Sequence, residues 1–289
     1  MKEEDSGERK FSLPSRSESR SSGEDPARKH LEGIEGVPDN PEIRGSDDST
    51  EARDSESLEL TPRDLEIFRF MHEQRYLAYN QIQSAFWPKC AEETKACRAR
   101  IEKLKTEGYL TKRPSARIRN LALYFATAKS FEELKKRGRD SGIPLYEPTL
   151  HFERTIKHDL NVTNLRILFK ELGLATWTSE RLLRERDHLL SRLPDGVLNL
   201  FGKKVAIEFE NDLTKSTDRY RKLLSDYKDH KEYFLVFLVI AGNLKDWLVS
   251  DLDYDVKQMW MTTYKELMNR KQKAQFENKG AYFELSRIL

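Results

Sequence analysis

The chain has 289 residues, with 51 Lys+Arg against 49 Asp+Glu, and is 37 % hydrophobic and 35 % charged. That length allows one or two domains with sizeable cores, while no apolar run approaches the ~18–20 residues that a membrane-spanning helix needs. Cys90 and Cys97, the only cysteines, give neither a disulfide framework nor a zinc knuckle. The acidic start MKEEDSGERK has no apolar stretch of the secretory kind, and the expectation is a cytoplasmic protein without membrane contact.

The small net charge of +2 hides two unlike parts. Residues 1–60 hold 9 basic and 17 acidic residues, a net of −8, and the remainder holds 42 against 32, a net of +10. Such asymmetry suggests an acidic tail beside a body that prefers a polyanion. Residues 1–60 contain one aromatic, Phe11, and cannot bury enough apolar surface to offset chain entropy. This acidic leader is expected to be disordered, either as a competitor for the basic body or as a solubilising tail.

Thr61-Pro62-Arg63-Asp64 predicts a helix start, with Thr as N-cap and Pro at the first helical position. Leu65, Ile67, Phe68 and Met71 then form an apolar face. A short helix near Asn80–Phe86 follows, and a third runs from about Ala91 to a stop at Gly108. Next, two short apolar stretches flank a basic loop in YLTKRPSARIRNLALYFAT, and AKSFEELKKRG closes the segment as a helix. Three helices and a β-hairpin in this order predict a winged helix-turn-helix over residues 61–141. Between Lys89 and Arg119 ten residues are basic and four acidic. Lys95, Arg98, Arg100, Lys103 and Lys105 lie on the third helix, opposite Ala96, Ile101 and Leu104, and Lys112, Arg113, Arg117 and Arg119 lie on the wing. A basic third helix and wing together would give salt-sensitive binding of double-stranded DNA.

Residues 142–150, with two prolines, form a linker. Beyond it, FERTIKHDLNVTNLRILFKELG reads as a helix, then come three strand-like stretches (LATWTSERLL, PDGVLNLF and KVAIEFEND), a helix from about Lys215 to Lys231, and the buried strand YFLVFLVIA. Gly202-Lys203 marks a tight turn that pairs the second and third strands. The whole is α+β or α/β, with an αβββαβ unit over residues 151–289. Carboxylates carry its chemistry. Asp195 opens the second strand, Glu208 and Glu210 share one face of the third, and Glu180 lies on the first. Asp195 and Glu208 brought together across the hairpin offer hard oxygen ligands for Mg²⁺ or Mn²⁺, the metal that phosphodiester hydrolysis uses. The alternative is a charged strand face paired with nearby Arg or Lys. His158-Asp159 could be a ligand pair, or one of the two a hydrogen-bonding residue. Tyr220 and Tyr227 share a helix face, as core packing or as a tyrosine nucleophile. Beyond Asn243 the pattern reads as helix plus basic surface, ending in the strand-like AYFEL.

PDGVLNLFGKKVAIEFEND resembles the PD-(D/E)xK nuclease signature, with Pro194-Asp195 as its first half and Glu208 as its second. More narrowly, TPRDLEIF, His158-Asp159-Leu160, Ser179-Glu180-Arg181, Pro194-Asp195-Gly196, Ile207-Glu208-Phe209-Glu210 and the Lys215 and Tyr220 of LTKSTDRY resemble the bacterial replication-relaxation family of plasmids and mobile elements. The resemblance runs from Thr61 to about Ala241. It implies a winged helix followed by a restriction-endonuclease-like domain, acting in plasmid replication, DNA relaxation or mobilisation, as a homodimer or with replication or conjugation proteins. It further implies a Mg²⁺-dependent nickase with Asp195, Glu208, Lys215 and Glu180 as catalytic residues, and Asp195, Glu208 and Glu210 as metal ligands. The nuclease pattern expects Lys two positions after the acid, where this chain has Glu210. Either Lys215 reaches back from the next helix, with Lys204 the weaker candidate, or the domain is a non-catalytic scaffold or dimerisation module of a DNA-binding regulator.

Overall fold

Thr61 and Asp64 form a reciprocal capping box at the head of α1 (Pro62–Gln74): the Asp64 carboxylate accepts from the Thr61 N–H at 2.7 Å, and the Thr61 hydroxyl accepts from the Asp64 N–H at 3.3 Å. The computed structural model describes residues 58–88, 91–149, 152–174, 176–186, 192–211, 217–228, 232–242 and 256–289. All of them belong to one compact unit, Glu56–Leu289. Residues 1–57 of the acidic leader, Lys89, Cys90 and Lys215 lie outside the described residues.

After α1 come β1 (Leu77–Ala78), α2 (Tyr79–Phe86), α3 (Ala91–Thr106), β2 (Leu110–Pro114), β3 (Ala122–Ala126) and α4 (Ala128–Lys136). The three strands form an antiparallel sheet in the order β1-β3-β2, with Leu77 opposite Tyr124 and Leu110 opposite Ala126. Gly108 ends α3 at φ 77°, where the Tyr109 N–H reaches back to the Leu104 carbonyl at 2.9 Å. Ile67, Phe68, Met71, Leu77, Ile82, Cys97, Ile101 and Leu104 share one core. Ala96 is exposed and Cys97 takes the inward position expected of it, because 97, 101 and 104 hold the helical spacing that 96 breaks.

α5 (Phe152–Glu171) is 20 residues long and packs on both halves of the unit. Ile156 joins Tyr76, Leu123 and Phe125, and Ile167 joins the α1–α3 core. Val162, Leu165, Leu168 and Phe169 pack instead with Val205, Ile207 and Phe209 of the second sheet. Gln81 Nε2 donates to the Leu160 carbonyl and to Asn164 Oδ1, each at 2.8 Å, and Arg166 pairs with Glu73 in a buried site. The expected linker at 142–150 therefore does not separate two independent cores.

The second sheet has seven strands in the order β10-β9-β8-β7-β6-β5-β4: β4 (Trp177–Ser179), β5 (Gly196–Leu200), β6 (Lys203–Glu210), β7 (Leu235–Ile240), β8 (Met259–Thr263), β9 (Gln275–Asn278) and β10 (Ala281–Glu284). β4, β5 and β6 run antiparallel, β6, β7 and β8 parallel, and β8, β9 and β10 antiparallel. α6 (Glu180–Arg186), α7 (Thr217–Lys228) and α8 (Tyr264–Arg270) complete the set, giving eight α-helices and two sheets of a mixed α+β fold among the described residues. The β5–β6 turn is Phe201-Gly202, both at positive φ (50° and 79°), as a mirror-image hairpin turn requires.

One expectation is corrected outright. The first strand of the αβββαβ unit ends at Ser179, and Glu180 begins α6. Glu, Leu and Arg fill ERLLRER; all favour helix, and none is β-branched or aromatic. The Ser179 hydroxyl accepts from the Leu182 N–H at 3.4 Å and caps that helix. β8 and β9 were not anticipated, whereas the terminal AYFE does form a strand.

Candidate functional site

Gly196 pairs with Ile207, so the register brings Asp195 opposite Glu208 where the β5–β6 hairpin opens. Gly196 has to be glycine: a Cβ there would stand 2.1 Å from Trp177 Cζ2. Asp195 Oδ2 accepts the Phe209 N–H at 2.8 Å, which fixes the carboxylate against β6. Glu208 and Glu210 share a face of β6, and both are buried.

Cations and hydroxyls from α5, α6, α7 and two connecting segments converge here. Arg192 Nε lies 2.8 Å from Glu208 Oε1, and the Tyr227 hydroxyl of α7 donates to the same oxygen at 2.6 Å. Arg192 also reaches Asp226 at 3.6 Å. From α5, His158 Nε2 lies 3.3 Å from Asp195 Oδ2 and 3.2 Å from the Phe209 carbonyl, while its Nδ1 is 3.5 Å from Asp159 Oδ1. Asp159 in turn accepts from Arg75 Nη1 at 3.0 Å, Tyr76 Oη at 2.7 Å and Thr155 Oγ1 at 2.9 Å. Arg75 extends to Glu180 Oε2 at 2.9 Å, and Arg184 pairs with the other Glu180 oxygen. Arg75, Thr155, His158, Asp159, Glu180, Arg184, Arg192, Asp195 and Glu208 line an open cleft of about 830 Å³, together with Arg154, Glu210 and Arg219.

The electrostatics follow from this pairing. Burial opposes a charged His158, but the hydrogen bonds and charges of Asp159 and Asp195 outweigh it and raise its pKa to about 10. His158 is thus an imidazolium at neutral pH. Glu208 is raised to about 7, first by burial and then by the Asp195 charge, against the opposing effect of Arg192 and Tyr227. Burial also works to raise the Asp159 carboxyl, yet His158 and Arg75 hold it below its usual value.

The Mg²⁺ or Mn²⁺ that the resemblance implies meets a donor set already occupied by protein cations. Arg192 sits on Glu208, His158 on Asp195, and Arg75 on Asp159 and Glu180. Among the described residues no group of three or more His, Cys, Asp or Glu side chains could hold an ion. The residues as arranged do not fit a metal centre. Lys204, the weaker lysine candidate, pairs with Glu232 at the opposite end of β6 from Glu210. The cation at Glu208 is Arg192, which belongs to no motif of the sequence. Its one signal is its place two residues before Pro194-Asp195. Neither tyrosine acts as a free nucleophile: the Tyr227 hydroxyl is engaged by Glu208, with its pKa pushed well above 10 by burial, and Tyr220 packs in the core with Val197 and Val236.

A second surface lies on α3 and the β2–β3 hairpin. Lys95, Arg98, Lys103, Lys112, Arg113, Arg117 and Arg119 are all exposed there, and among the described residues none of them forms an ion pair. Arg98 lies over the Tyr79 ring at 5.8 Å and Lys112 over Tyr124 at 5.9 Å, on the walls of a groove of about 470 Å³ that also includes Asn80 and Asn120. Arg100 departs from the expected set. Its guanidinium pairs with the fully buried Asp64 and donates to the Glu59 carbonyl at 2.8 Å, because a buried carboxylate requires a cation.

No protein-family model, curated protein or solved structure matches the chain. The likeness to the replication-relaxation family therefore rests on the motifs quoted above.

Proposed function

We propose that this protein binds double-stranded DNA through the face formed by α3 and the β2–β3 hairpin, as a winged-helix regulator whose restriction-endonuclease-like sheet serves as a rigid scaffold. The observation that carries this reading is the set of seven exposed cations on α3 and the hairpin with no acidic partner among the described residues. The helix-strand-helix-helix-strand-strand order and the β1-β3-β2 sheet support the winged-helix assignment. Exposed cations of this kind release counterions from a duplex and make affinity fall steeply with salt. Duplex affinity measured across a salt series tests it. Arg98→Ala with Lys112→Ala is expected to weaken binding uniformly across sequences and to lower the salt slope by about two. An unchanged slope would exclude this face.

A second reading, metal-dependent nicking at the cleft, is favoured by the opposition of Asp195 and Glu208 across the hairpin. It requires Arg192 and His158 to leave those carboxylates. Supercoiled plasmid incubated with Mg²⁺ or Mn²⁺, beside Asp195→Ala and Glu208→Ala, separates the two. The scaffold reading expects intact plasmid throughout. Nicking that disappears in both variants establishes the enzyme.

A further inference from the structure

The loop at the tip of the β2–β3 hairpin holds an acidic side chain that its own sequence does not supply. Glu153, in the first turn of α5, accepts the Ala116 N–H at 3.0 Å on Oε1, and the Arg117 N–H at 3.3 Å and the Ser115 hydroxyl at 3.1 Å on Oε2. The Ser115 oxygen itself accepts from the Arg117 and Ile118 N–H groups at 3.2 and 3.0 Å, and the loop is closed by Ser115 N–H to the Leu121 carbonyl at 2.9 Å. Successive backbone N–H groups aimed at one point form a concavity that binds anions. The flanking sequence is basic: Arg113, Arg117 and Arg119 of the hairpin, and Arg154 next to Glu153 in the chain, are all exposed. Among the described residues Glu153 forms no ion pair with any of them, so neutral donors hold the carboxylate.

We infer that the Ser115–Arg117 loop is a phosphate-binding nest for the nucleic-acid backbone, and that Glu153 is its resident anion, displaced when a backbone phosphate arrives. The inference rests on the DNA-binding reading above. A phosphate oxygen accepts the same two N–H groups and the same hydroxyl proton, and it adds attraction to the surrounding arginines that a single carboxylate anchored to α5 does not reach. Glu153 then acts as an internal competitor that weakens DNA binding while keeping the loop preformed.

The test uses the full chain with Glu153→Ala and Glu153→Gln. The glutamine keeps a carbonyl acceptor for the loop, so the proposal remains testable even where the alanine variant folds poorly. Inorganic phosphate is titrated while the Ala116 and Arg117 backbone amides are followed by ¹⁵N NMR, and affinity for a short duplex is measured in parallel. Saturable shifts of both amides are expected in the variants at phosphate concentrations that leave the parent unmoved. Duplex affinity is expected to rise about fivefold or more. Amides that do not respond to phosphate in either variant overturn the nest, and so does a duplex affinity that falls, since Glu153 would then be only a strut for the wing. Amides that respond while no variant binds duplex support the nest as an anion site and remove the DNA reading instead.

Discussion

The two polar surfaces of this molecule use similar residues in opposite ways. On α3 and the hairpin, arginines and lysines face solvent without acidic partners among the described residues. In the cleft, Arg75, Arg184, Arg192 and His158 are each bound to a carboxylate. Uncompensated charge reaches outward and attracts a polyanion, whereas compensated charge in a low-dielectric site fixes structure and leaves little field outside. Counting basic residues cannot separate these roles; partners can. Arg98 and Arg100 lie two residues apart on one helix and fall on opposite sides of this division.

Removing a shared acceptor in the cleft is expected to have the largest effect. Asp159→Ala leaves Arg75, Tyr76 and His158 without their buried partner and is expected to destabilise the fold by about 3 kcal/mol, read as the loss in denaturant unfolding free energy. A loss below about 0.5 kcal/mol would show that the cleft charges are not structural. Next comes Arg100→Ala, which strands the buried Asp64. A cost of about 2 kcal/mol is expected with duplex affinity unchanged, the reverse of the Arg98→Ala pattern. Should Arg100→Ala weaken DNA binding without loss of stability, the division between the two arginines fails. Smaller still is a pH effect. His158 is raised in the folded state from 6.5 to about 10, so its stabilisation is fully present below pH 6.5 and is lost as pH rises toward 10. Stability is expected to fall by about 1 kcal/mol over that window after allowance for solvent screening, and His158→Gln should flatten this part of the profile.

What was legible in the sequence were the local signals. Thr61, Pro62 and Asp64 announce α1 because a capping box needs only residues three apart. YFLVFLVIA announces β7 because a strand covered on both faces is apolar throughout. The opposition of Asp195 and Glu208, and the shared face of Glu208 and Glu210, are legible because a hairpin turn fixes register over a short distance. The partners of these carboxylates were not legible. Arg75 meets Asp159 from 84 residues away and Glu180 from 105, and no periodicity reports contacts at that range. Glu180 reads as strand in the sequence because the three residues of β4 directly precede it, and the switch from strand to helix at Ser179 depends on one side-chain cap. Arg192 carries no pattern of its own; only the fold reveals that it stands at the acid where a lysine was sought.

α5 has a practical consequence for anyone wishing to dissect this chain. At 1.5 Å per residue its 20 residues make a rod of about 30 Å, and both sheets lean on it. A cut in the proline-bearing segment before it would strip Ile156 and Ile167 from the first half and expose the Tyr76, Leu123 and Phe125 face to water. The severed pieces would aggregate rather than report on separate activities, and melting of the intact protein should be a single cooperative event. Function assigned to either half has to be read in the whole molecule, through substitutions rather than truncations.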